Sequence, residues 1–111
     1  MIRRLVSPVN KLKGFQKKYL RGLAHSIKPV VYLGQSGLTE AVIRSMTRAL
    51  ERHELVKVKF NDFKEKEQKK EITGSLEKET RSHLVGTIGH TAIFYRQQED
   101  PEKRQIFIPE R

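Results

Sequence analysis

Hydrophobic and polar positions follow rhythms that change along this chain, and each change marks an element. From Phe15 the apolar residues Phe15, Tyr19, Leu20, Leu23 and Ala24 recur at helical spacing, while Lys13, Lys17 and Arg21 repeat along another face. The pattern predicts an amphipathic helix with one packed stripe and one wet one. Lys28-Pro29 closes the link, because the residue before proline is pushed toward extended geometry, and Val30-Val31-Tyr32-Leu33 then reads as a strand. After Gly34-Gln35-Ser36-Gly37, the apolar positions Leu38, Val42, Ile43, Met46, Ala49, Leu50 and His53 define a helix of about four turns. Leu55-Val56-Lys57-Val58-Lys59-Phe60 alternates with period two, which puts Val56, Val58 and Phe60 on one face and Lys57 and Lys59 on the other.

The second half continues in the same way. Residues 61–70 are dense in both charges and lead through Glu71, Ile72, Leu76 and Glu79 into a surface helix with a thin apolar stripe. Residues 83–88 and 91–96 read as two strands joined by a tight turn at Gly89-His90. Ile106-Phe107-Ile108 is a candidate short edge strand, ended at once by Pro109. Strands separated by helices favour parallel pairing, and the closing hairpin must be antiparallel. The expected fold is therefore α/β, a two-layer α+β domain of order α-β-α-β-α-β-β, with a four-stranded mixed sheet and helices packed on one face. That arrangement leaves the Lys57 and Lys59 face open. Three segments are expected: a flexible basic arm over residues 1–12, a folded domain over 13–97, and a polar C-terminal tail over 98–111.

The glycine turn is the stretch around which this order is built. A glycine pair spaced three apart sits where a strand ends and a helix begins, and a helix start offers unpaired N–H groups and partial positive charge to an anion. Glu40, in the same first turn, competes for that charge. Tyr32 is the aromatic beside the turn, and core packing is its expected role.

Charge placement sharpens the picture. The chain carries +10, and residues 1–37 hold eight Lys or Arg and no acid, a net of +8. The remaining residues hold fifteen basic and thirteen acidic side chains. Positive potential concentrated on the segment leading into the glycine turn points to a polyanion, because neutralising phosphates releases counterions. With 111 residues, one domain is expected, and without cysteine there is neither a disulfide nor a thiolate site. The longest apolar run is Val30 to Leu33, far short of the roughly 20 residues of a membrane span, so a cytoplasmic protein is expected.

Catalytic patterns are missing from the sequence. No Ser, His and Asp arrangement occurs in a nucleophile-elbow context, and the histidines at 25, 53, 83 and 90 lack metal-ligand spacing. Neither the P-loop nor the three-glycine dinucleotide pattern is present, so no cofactor, metal or enzymatic activity is expected.

Assembled in order, these residues resemble a known family, the small bacterial YhbY-like proteins that define the CRM domain (chloroplast RNA splicing and ribosome maturation). The resemblance spans residues 15–96. It rests on Tyr19-Leu20-Arg21-Gly22-Leu23-Ala24-His25, on Lys28-Pro29-Val30-Val31 through Leu33-Gly34-Gln35-Ser36-Gly37-Leu38-Thr39-Glu40, on Ala49-Leu50-Glu51-Arg52-His53-Glu54-Leu55-Val56-Lys57-Val58, and on Ile88-Gly89 with Tyr95-Arg96. It implies a fold similar to the C-terminal domain of bacterial translation initiation factor three. It also implies that the G-x-x-G loop falls on Gly34, Gln35, Ser36 and Gly37, and looks like the KH-domain loop that clamps nucleic-acid backbone. Bacterial members are associated with precursors of the large ribosomal subunit, and plant members with group II intron splicing.

Together these readings predict a monomeric, non-enzymatic binder of ribosomal RNA that aids large-subunit maturation. Lys13, Lys17, Lys18, Arg21 and Lys28 are the expected electrostatic contacts, Gly34 to Gly37 the phosphate seat, and Lys57 and Lys59 second-tier contacts. The alternative is an adaptor that sets its basic face against an acidic protein partner in ribosome assembly.

Overall fold

The computed structural model describes residues 11–110. The basic arm read over residues 1–12 lies outside this range except at its end, where Leu12 is buried beside Leu20 and Ala24. The elements are α1 (Gly14–Ala24), β1 (Val31–Leu33), α2 (Glu40–His53), β2 (Leu55–Phe60), α3 (Lys66–Thr80), β3 (His83–Ile88) and β4 (Thr91–Tyr95). Local chemistry sets the helix starts. Thr39 caps α2 by accepting the Val42 N–H at 3.2 Å, and Gln68 accepts the Glu65 N–H at 3.3 Å ahead of α3.

The strands form one mixed sheet in the order β1-β2-β4-β3. β1 and β2 are parallel, joined by the α2 crossover, while β4 runs antiparallel to both of its neighbours. β2 and β3 thus point the same way with β4 inserted between them. A bulge between Leu84 and Gly86 shifts the β3 register.

Helices occupy both faces, which corrects the expectation of helices on one. α2 and α3 cover the face bearing Val31, Leu33, Val56, Val58, Phe60, Ala92 and Phe94, and contribute Met46, Leu50 and Leu76 to the core there. α1 lies on the other face, where Leu20 and Ala24 pack with Leu55, Val85, Ile93 and Tyr95. The physical reason is in β4. Ala92-Ile93-Phe94-Tyr95 is buried throughout, the mark of a strand covered on both sides rather than an alternating one. Each large apolar side chain of the second cluster is worth roughly 1.5–3 kcal/mol when buried, so that face cannot be left to solvent.

The candidate edge strand at Ile106-Phe107-Ile108 does not form. These residues run without regular pairing after a short 3-10 turn, Pro101–Lys103. Ile106 and Ile108 pack against the α1 cluster, and the Gln16 side chain donates to the Pro109 carbonyl at 3.1 Å. The segment covers one flank of α1 instead of extending the sheet.

Candidate nucleic-acid interface

The glycine turn follows β1 directly and precedes α2 by two residues, Leu38 and Thr39. The Gly37 N–H donates to the Gly34 carbonyl at 3.0 Å, closing the turn on itself. Gly37 is buried with φ +70°, a left-handed backbone that favours glycine, and a Cβ there would stand 3.3 Å from the Phe63 ring. Gly34 differs: a Cβ added to it meets nothing within 4 Å. Between them Gln35 and Ser36 are exposed. Gly37 therefore shapes the turn from inside, and residues 35 and 36 form its solvent-facing tip.

β2 supports this tip from the neighbouring strand. The Leu33 carbonyl accepts N–H groups from Asn61 at 2.9 Å and Asp62 at 3.2 Å, tying the end of β1 to the end of β2. The β3–β4 turn joins the same end, with Phe60 N–H on the His90 carbonyl at 2.8 Å and Lys69 Nζ on the Gly89 carbonyl at 2.9 Å. Three connections thus meet at one edge of the sheet. The Asp62 backbone at this edge brings a carboxylate residue next to the turn.

The predicted cations fall into separate groups. Lys59 is paired with Tyr32, exposed, and lies at the glycine-turn end of the α1 face of the sheet. Lys57 lies one row back, half-buried and paired with Ile93. Arg21 reaches the same face from α1, where its guanidinium donates to the Val85 carbonyl at 3.3 Å and its stem overlies Gly86. Lys17, one turn earlier, shares the Arg21 flank of the helix, and Lys18 is turned outward on an exposed position. Lys13 stands at the exposed start of α1. Lys28 is exposed at the opposite end of β1 from the turn, six residues or roughly 20 Å of extended chain away from Gly34. Lys59, Lys57 and Arg21 are brought to one face, and Lys28 lies at the far end of β1 from the turn, beside Val30 and Leu55.

Tyr32 corrects another expectation. β1 alternates in, out, in, so Val31 and Leu33 enter the core while Tyr32 projects from the α1 face, 54 % exposed. The strand's own period of two carried this signal, since the flanking pair Val31 and Leu33 matches the buried face of β2. Glu54 also escaped the sequence reading. It is fully buried after α2, and its carboxylate accepts backbone N–H groups from Gln98, Gln105 and Ile106 at 2.8–3.0 Å.

Among the described residues, no group of three or more His, Cys, Asp or Glu could hold a metal ion. No described helix is long and apolar enough to cross a membrane.

Comparison with known proteins places this geometry in a wider set. Residues 12–96 match the family described as the CRS1 / YhbY (CRM) domain. A Haemophilus influenzae protein named RNA-binding protein is 45% identical over 85 residues, covering 77% of this chain and 85% of its own. The Bacillus subtilis protein named Probable RNA-binding protein YqeI is 39% identical over 98 residues, covering 88% of this chain and 99% of its own. A hypothetical protein of Staphylococcus aureus, solved in solution, superposes with a TM-score of 0.75 at 36% identity, across 89% of this chain and all of the other. The chain belongs to the CRS1 / YhbY (CRM) domain family.

Proposed function

We propose that this protein is a non-enzymatic RNA-binding protein of the cytosol, and that its ligand is ribosomal RNA within precursors of the large subunit. Its relatives from Haemophilus influenzae and Bacillus subtilis carry RNA-binding names, which supports RNA as the ligand class. The carrying observation is the exposed Gln35-Ser36 tip standing at the same sheet edge as Lys59, with Lys57 and Arg21 behind it on one face. Backbone N–H groups of the tip seat a phosphate, and the cations hold its neighbours. Lys17 on the Arg21 flank of α1 extends the positive surface, and Lys13 at the helix start and the outward Lys18 add to the field around it, so the first capture is electrostatic and independent of sequence.

Binding of a large-subunit precursor RNA fragment, followed across salt concentrations, tests this reading. With about four phosphates contacted, log affinity falls against log salt with a slope near ~3, at about 0.7 per phosphate for single strands. A flat salt response removes the electrostatic mechanism. Digestion of accessible RNA in a lysate then separates the two partner classes: release from ribosomal particles supports RNA contact, and retention supports a protein adaptor.

A further inference from the structure

The half of the α1 sheet face left uncovered by α1 carries side chains that folding does not require. Tyr32, Lys59, Thr91 and Ile88 form one continuous row across all four strands. At about 4.8 Å per strand the row is roughly 14 Å wide. Tyr32 is 54 % exposed, Ile88 60 %, and Val30, beside Lys57, 49 %. Scattered singly, exposed apolar residues need no explanation, but gathered on one face beside a functional turn they form a recognition surface.

Charge selects the occupant. The residues projecting from this open half include two lysines and no carboxylate, so an acidic strand is attracted to it. Tyr32 offers an aromatic face two residues, roughly 7 Å, from the glycine turn, with the Lys59 ammonium on the adjacent strand. A flat ring flanked by a cation on one side and a phosphate seat on the other matches an unpaired nucleotide, which carries a base between two phosphates. Bases inside a duplex are already stacked on both faces and cannot present one to the ring, so the matching ligand is single-stranded.

We propose that Tyr32 is a base-stacking platform for a single-stranded segment of RNA, an inference that rests on the RNA-binding reading above. One unpaired base lies on the Tyr32 ring, the phosphate on one side of it meets Lys59, and the phosphate on the other side meets the Gln35-Ser36 tip. Ile88 gives the far end of the row an apolar contact for a neighbouring base.

Titration of the full-length protein with a short oligoadenylate, and with an abasic ribose-phosphate oligomer of equal length, tests the platform. Tyr32→Leu keeps an apolar side chain at an exposed position, so the fold is retained. It should weaken oligoadenylate binding roughly tenfold to a hundredfold, leave abasic binding unchanged, and be rescued by Tyr32→Phe. Tyr32→Trp introduces an indole into a chain that has no tryptophan, and its fluorescence should be quenched by oligoadenylate but not by the abasic oligomer. If Tyr32→Leu binds oligoadenylate as tightly as the parent while Lys59→Gln weakens both ligands alike, stacking is refuted and phosphate binding by the face survives. If the parent binds neither oligomer nor precursor RNA, the RNA-binding reading fails and the platform with it.

Discussion

The Glu54 carboxylate accepts the Ile106 backbone N–H at 3.0 Å, joining the end of α2 to a segment 52 residues further along the chain. The same Oε1 accepts the Gln105 N–H, and Oε2 accepts that of Gln98, so one buried acid organises the whole C-terminal segment. Gln98 is also anchored by its side chain, which donates to the Glu51 carbonyl. Residues 98–110, which read as a polar tail, therefore finish the domain and cover the α1 cluster.

Glu54→Gln should destabilise the fold by about 2–3 kcal/mol. Hydrogen bonds to a charged group are worth about 1.5–3 kcal/mol, and the new amide would present a donor to one of the N–H groups that the carboxylate now accepts. Urea denaturation checks this as a lowered midpoint. Deleting residues 98–111 should cost more, because it also uncovers Leu55 and Tyr95.

The two glycines of the turn should respond unequally to alanine. Gly37→Ala places a Cβ in left-handed backbone and against the Phe63 ring, for a cost of about 1–2 kcal/mol. Gly34→Ala meets open space and should change stability by less than about 0.5 kcal/mol. Thermal or urea midpoints of the two variants separate shape from surface. A loss of RNA affinity in Gly34→Ala with unchanged stability then reports on the tip alone.

Charge removal should discriminate the two ends of β1. Lys59→Gln is expected to lower the salt slope of RNA binding by about 0.7, as one lost phosphate contact. Lys28→Gln, at the end away from the turn, should leave the slope unchanged. Equal effects of both substitutions would show that the interface extends over the whole length of the strand.

Much of this fold was legible because its period-two and helical patterns are clean. β2 runs over the six residues its alternation marks, and β3 and β4 flank the Gly89-His90 turn as read. The layers were less legible. The lysines of β2 made one face look solvated, yet Leu55, Ile93 and Tyr95 bury that face at the end where α1 lies. Solvation there is a property of half a face, and the uninterrupted apolar run of β4 was the clue. Tyr32 departs from its expected core position for a related reason: an aromatic beside a short apolar run suggests core, whereas the in-out alternation of β1 decides. Glu54 has no sequence signature, because its three N–H partners arrive from residues more than forty positions away.

Tyr95 supplies a prediction about alkaline stability. Its side chain is buried, and its hydroxyl has no hydrogen-bond partner among the described residues. Burial, reinforced by the Glu54 carboxylate and partly offset by Arg104, raises the phenol well above its ordinary 10.0. Below that ordinary value both folded and unfolded chains hold the proton, and Tyr95 adds no pH dependence. Above about pH 10 the unfolded chain releases the proton while the folded chain keeps it, so unfolding is favoured as pH rises, by up to about 1.4 kcal/mol per unit. Tyr95→Phe removes this slope. At neutral pH the variant should lie within about 1 kcal/mol of the parent, since the lost hydroxyl made no bond in the fold. Urea midpoints of both proteins at about pH 8 and about pH 11 give the comparison, and the alkaline loss should be smaller in Tyr95→Phe. Equal losses would mean that the lysine-rich surface, common to both proteins, sets the alkaline limit.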